Sequence, residues 1–176
     1  MSSSATTKDP RRVLLQRQLD IMWRFADSYV IDRVDLDAAL WEPSNNVCTV
    51  HRGPDGWSAD WPDEDNGPLP DATIAWLLWH IEWWWNDTIA RVSGEPGIAP
   101  STYRWSGTTV GIVHAKEAWD RVLEEADLDA LVAWHLPEPQ PAWFIAAWVN
   151  TELTKNLAEI NQLKVLYENR GSAPQV

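Results

Sequence analysis

Ala75-Trp76-Leu77-Leu78-Trp79-His80-Ile81-Glu82-Trp83-Trp84-Trp85-Asn86-Asp87 carries five of the chain's 14 tryptophans and one of its four histidines. Trp76, His80 and Trp84 fall at i, i+4 and i+8, so a helix places them on one face with Leu77 and Trp83 beside them. A face this apolar belongs inside a helical protein, and it sets an imidazole in an aromatic wall. Asp71 reads as the cap of this helix and Gly94 as its left-handed stop, giving a helix over 71–93.

The remaining helices follow by the same logic. Asp9-Pro10 offers a capping carboxylate and a first-turn proline, after which Leu14, Leu15, Leu19, Met22, Phe25, Ala26 and Tyr29 recur at helical spacing, predicting a first helix over 9–30. Ser106, Thr108 and Thr109 supply capping hydroxyls before the stripe Ile112, Ala115, Trp119, Val122, Leu123 and Ala126, a third helix over 108–127. Pro137, Pro139 and Pro141 then punctuate the approach to the longest pattern, over 142–170, with Gly171 as its stop. Four helices and no convincing strand predict an all-α, up-down-up-down four-helix bundle in one domain, 1–176.

Between the first two helices, residues 31–70 read as a long ordered lid. Within it Asp35–Leu40 is expected to form a short helix and Val47–Val50 to be extended, with Trp41, Trp57 and Trp61 as apolar anchors. Asp63-Glu64-Asp65-Asn66-Gly67-Pro68 puts glycine and proline where a calcium loop cannot use them, and reads as a solvated acidic turn.

Composition narrows function. With 26 acidic and 14 basic side chains, a net charge of −12, the surface repels phosphate backbones and anionic lipid, so neither nucleic acid nor membrane is an expected partner. A lone Cys48 precludes an internal disulfide and fits a reducing, cytoplasmic setting. No apolar leader and no run long enough for a membrane span is present. Small molecules, or a second copy in a homodimer, are the expected partners. Asn86-Asp87-Thr88 matches a glycosylation sequon by chance. Tryptophan is several times its usual frequency; most of these rings should be core, with some lining a ligand pocket.

The last helix supplies the second informative run, Trp148-Val149-Asn150-Thr151-Glu152-Leu153-Thr154-Lys155-Asn156. Glu152 and Asn156 stand one turn apart on a face shared with Trp148. If the second and fourth helices run parallel, His80 and Glu152 both lie about 13.5 Å from their helix starts and are level. One imidazole and one carboxylate from facing helices are how bundle metal sites are assembled, and equally how two buried polar groups satisfy each other without metal. His114, near the start of the third helix, should miss His80 by roughly 12 Å, while His51 and His135 have no position that spacing fixes.

Leu40-Trp41-Glu42-Pro43, Thr73–Ile81, Trp148–Leu153, Ala158-Glu159-Ile160 and Leu163–Tyr167 in this order resemble the DinB-like family of four-helix-bundle proteins, which includes bacterial thiol-dependent S-transferases and mycothiol-dependent maleylpyruvate isomerases. The resemblance implies a divalent metal, zinc or nickel, held by a second-helix histidine and two fourth-helix residues, with a low-molecular-weight thiol as cosubstrate. His80 and Glu152 match two of these positions. Asn156 stands where the family places a histidine, so the implied triad His80, Glu152, Asn156 is degenerate, because an amide oxygen is a weak ligand for borderline metals. Two functions follow as expectations: a metal-assisted thiol transferase or isomerase, or a metal-free binding protein with a pocket lined by Trp76, Trp84 and Trp148.

Overall fold

The computed structural model describes residues 8–62 and 69–171. It is predominantly helical: α1 Pro10–Tyr29, α2 Leu36–Ala39, α3 Ile74–Val92, α4 Val110–Glu125 and α5 Ala142–Asn169, with a single 3-10 turn at Pro100–Thr102. The helix bounds fall close to those read from sequence because the punctuation is real. The Asp9 carboxylate accepts from the Arg11 amide, and Gly94 adopts φ +83° just past α3.

Two expectations need correction at this level. Strands are present: β1 Val47–Cys48 pairs in parallel with β4 Asp71–Ala72, β2 Val50–Gly53 pairs antiparallel with β3 Gly56–Ala59, and β5 Leu131–Val132 pairs antiparallel with β6 Gln140–Pro141. The β2–β3 hairpin turns at Pro54-Asp55, with Gly56 at φ +116°, a conformation that favours glycine. Asp71 is therefore a strand residue, and the cap of α3 is Thr73, whose hydroxyl accepts from the Trp76 amide at 3.1 Å. The described residues of the 31–70 stretch are accordingly more structured than a lid, and α2 and the extended Val47–Val50 stretch stand where expected. The acidic turn proposed at Asp63–Pro68 lies outside the described residues.

The second correction concerns helix order. α1 packs on α5 and α4, and α3 packs on α4 and α5, so α1 and α3 are not principal partners. Cross-helix contacts give the directions. His80 faces Glu152, and one turn further along α3 Trp84 meets Trp148, one turn back along α5, so these two helices are antiparallel. Glu82 abuts Gly111 while Ile89 and Val92 share a groove with Ala118 and Val122, so α3 and α4 are parallel. Gln16 bonds Glu124 and Trp23 lies under Lys116, so α1 and α4 are antiparallel. The order is up-down-down-up. The 17 residues between α3 and α4 make this feasible by carrying the chain back along the body.

Seven tryptophans (Trp79, Trp83, Trp84, Trp85, Trp105, Trp119 and Trp134) are buried, joined by Leu19, Ile74, Leu78, Ile81, Ile112, Val149, Leu153 and Ile160. Burying an indole removes 150–250 Å² from water, roughly 4–6 kcal/mol of transfer free energy per ring, so these rings dominate the cohesion of the helices. The three anchors of residues 31–70 each pack on a different aromatic partner. Trp41 meets Tyr167 near the end of α5, Trp57 packs on Trp105 and exchanges two backbone hydrogen bonds with it, and Trp61 lies across Trp79 and Trp83. No helix among the described residues is long and apolar enough to cross a membrane.

Candidate functional site

His80 leaves α3 at mid-height, stacked on Trp76 with centroids 4.7 Å apart and planes at 12°. Its Nε2 stands 3.7 Å from Glu152 Oε1, an ion-pair separation longer than a hydrogen bond. The same oxygen accepts from Asn156 Nδ2 at 3.2 Å and lies 2.7 Å from Lys155 Nζ. The structure thus brings His80, Glu152 and Asn156 together, but through an antiparallel pairing and not the parallel one from which the match in height was inferred. Burial pushes the Glu152 carboxyl up, yet His80 and Lys155 beside it outweigh this and hold it at about 2.

His80 and Glu152, but not Asn156, front a cavity of about 330 Å³ lined also by Trp61, Trp83, Trp84, Trp134, His135, Leu136 and Trp148. Two surface grooves are larger, about 480 Å³ each, but neither is lined by an aromatic ring or a histidine. Trp84 and Trp148 line the cavity as expected. Trp76 does not: its ring backs the His80 imidazole and its N–H donates to the Asp60 carbonyl at 2.8 Å, which fixes the plane of His80 from behind.

Sequence reasoning missed the wall formed by Trp134, His135 and Leu136. They occupy the loop between β5 and β6, where proline punctuation leaves no periodicity to read. Two fully buried side chains of α3 hold this loop. Thr88 Oγ1 accepts from Trp134 Nε1 at 3.4 Å, and Asp87 Oδ2 lies 3.1 Å from His135 Nε2 and 2.8 Å from Arg91 Nε. Asp87 Oδ1 also accepts from the Ile98 amide at 2.6 Å. Burial raises the Asp87 pKa, but the His135, Arg91 and Ile98 donors lower it further, and the net shift is downward. The chance sequon is thus two-thirds structural, with Asp87 and Thr88 both sealed.

The other candidates lie elsewhere. His114 is exposed on α4, and because α4 runs parallel to α3 its position follows from a different register than expected. His51 pairs with Asp60 at 2.7 Å on the exposed hairpin. Cys48 is buried, and burial followed by the charge of Asp60 pushes its thiol up, away from reactive thiolate.

A second carboxyl on α3 has no counterpart in the sequence reading. Glu82 is buried; Tyr103 donates its hydroxyl to Glu82 Oε1 at 2.9 Å, and Asn86 donates to that hydroxyl at 3.2 Å. Burial drives the carboxyl up to about 7, against the Tyr103 bond. Gly111 of α4 lies so near that any Cβ there would overlap the carboxyl group. The sequence signal was a glycine inside an amphipathic helix, which marks a close approach.

The donors do not fit a resident metal. Asn156 turns its NH₂ toward Glu152 while its Oδ1 is buried without a partner, and Glu152 Oε1 is also engaged by the Lys155 ammonium at 2.7 Å. Among the described residues no three His, Cys, Asp or Glu side chains are grouped to share an ion. Comparisons with protein families, with curated proteins and with solved structures find no match to this chain.

Proposed function

We propose that the chain is a metal-free small-molecule-binding protein whose ligand occupies the tryptophan-walled cavity between α3, α5 and the β5–β6 loop. The observation that carries this reading is the lining: five indoles and Leu136 enclose the space, and His80, His135 and Glu152 supply a few convergent polar groups. Ligand sites have this composition, an apolar enclosure with a small polar set that fixes orientation. Indole emission titrated with small aromatic and alkylammonium compounds should respond in the wild type and be unchanged by EDTA. A response abolished by EDTA would overturn the metal-free reading.

A second reading, a thiol-dependent transferase or isomerase of the DinB-like kind, is favoured by one arrangement. His135 lines the cavity while the buried Asp87 holds its Nε2, and an imidazole oriented by a carboxylate is suited to take a proton from a thiol. Consumption of a low-molecular-weight thiol in the presence of an electrophile, lost in His135→Gln, would establish it. Absence of turnover across such thiols leaves the binding reading alone.

A further inference from the structure

The walls of the cavity specify more than an apolar ligand. Trp61 meets Trp83 at 85° with centroids 5.2 Å apart, and Trp148 stands at 77° to Trp84 and 74° to Trp134. Parallel rings would make a slot for a flat molecule. Rings at right angles enclose a rounded space from several sides.

The donors of two of those walls are committed elsewhere, since the Trp83 N–H goes to the Ile98 carbonyl at 2.8 Å and the Trp134 N–H to Thr88. Among the described residues no lysine or arginine lines the cavity to attract an anion. The lining does contain a carboxylate, Glu152. Its Oε1 is engaged by Asn156 and Lys155, while Oε2 has no hydrogen-bond partner among the described residues. A primary ammonium needs acceptors for three N–H bonds, and these walls offer few. A quaternary ammonium needs none and is attracted by indole faces. The net charge of −12 draws cations toward the molecule in addition.

We propose that the cavity binds a quaternary ammonium head group, packed against Trp61, Trp83, Trp84, Trp134 and Trp148 with Glu152 as its countercharge. This rests on the small-molecule-binding reading above and names the ligand class of the same site.

Choline and 3,3-dimethylbutan-1-ol, which replaces the charged nitrogen by carbon at nearly the same shape, separate the two claims by calorimetric titration of the full chain. Choline should bind at least about tenfold more tightly than the alcohol. Its affinity should fall by about tenfold in Trp148→Leu and in Glu152→Gln, with near-ultraviolet dichroism confirming that both variants fold. Trp61→Leu, at a half-exposed ring, serves if either does not. Equal binding of choline and the alcohol overturns the cation proposal and leaves the pocket standing. Binding of neither overturns the cation proposal, and the binding reading then falls only if the aromatic compounds also leave indole emission unchanged. Choline affinity undiminished by Trp148→Leu and Trp61→Leu places the cation elsewhere and overturns the proposal as well.

Discussion

Glu82 and Glu152 are carboxyls of the same acid strength when free, both drawn into the helical body, and their surroundings push them in opposite directions. Glu82 is enclosed by Tyr103, Asn86 and the bare backbone of Gly111, forms no salt bridge among the described residues, and rises to about 7. Glu152 faces a cavity, sits between His80 and Lys155, and falls to about 2. Burial acts the same way on both; the difference lies in the neighbours. The first carboxyl is a packing element that tolerates neutrality, and the second a fixed negative charge at a cavity wall. The distinction matters for function because only an ionised group at an open wall can select a ligand by charge.

The sharpest way to break this contrast is at Gly111. Gly111→Ala should cost about 3 kcal/mol in urea unfolding, since the new methyl must displace a buried carboxyl; Glu82→Ala in the same chain should recover much of the loss. No loss from Gly111→Ala alone would show that Glu82 is not confined.

Next in size is the pH response of Glu82. Its folded pKa lies above the unfolded value of 4.5, so its contribution is fully present below about pH 4.5 and is lost as pH rises through about 7. The displacement corresponds to about 3 kcal/mol at 1.36 kcal/mol per unit. Urea midpoints measured from pH 4.5 to 8 should decline over this window in the wild type and stay flat in Glu82→Gln.

Glu152 predicts the opposite sign with a smaller effect. Its folded pKa lies below the unfolded value, so its contribution is present above about pH 4.5 and is lost as pH falls through about 2. Partial solvent contact through the cavity screens the pair, leaving about 1 kcal/mol for Glu152→Gln at neutral pH. Acid titration should show the variant less sensitive than the wild type between pH 4.5 and 2, and a variant equally sensitive would remove Glu152 as the source.

How far the sequence foretold this depends on the range of the interaction. α1, α3, α4 and α5 were legible because Asp9-Pro10, Gly94 and the proline run at 137–141 act locally. The encounter of His80 with Glu152 was legible as chemistry, one imidazole and one carboxylate on apolar faces, but helix direction is set by connections and not by periodicity. A parallel pair was inferred where an antiparallel one exists. Gly53-Pro54-Asp55-Gly56 carries a local hairpin signal within the stretch expected to be a lid. The parallel contact of Val47-Cys48 with Asp71-Ala72 carries no such signal, being two residues long. His135 was out of reach altogether, since its place depends on Asp87, 48 positions earlier in the chain.

The indole network has an optical consequence. Trp79 and Trp83 stack at 5.8 Å and 9°, Trp84 and Trp85 at 5.7 Å and 23°; Trp76 lies 6.1 Å from Trp79, Trp61 5.2 Å from Trp83 and Trp148 5.2 Å from Trp84, and Trp134 joins through Trp148 at 4.4 Å. At such spacings ultraviolet excitation migrates between rings before it is emitted, and stacked transitions couple into exciton bands. Light absorbed at Trp85, deep between the helices, can therefore be emitted or extinguished at a ring on the cavity wall, so the α3 tryptophans report on the cavity they adjoin.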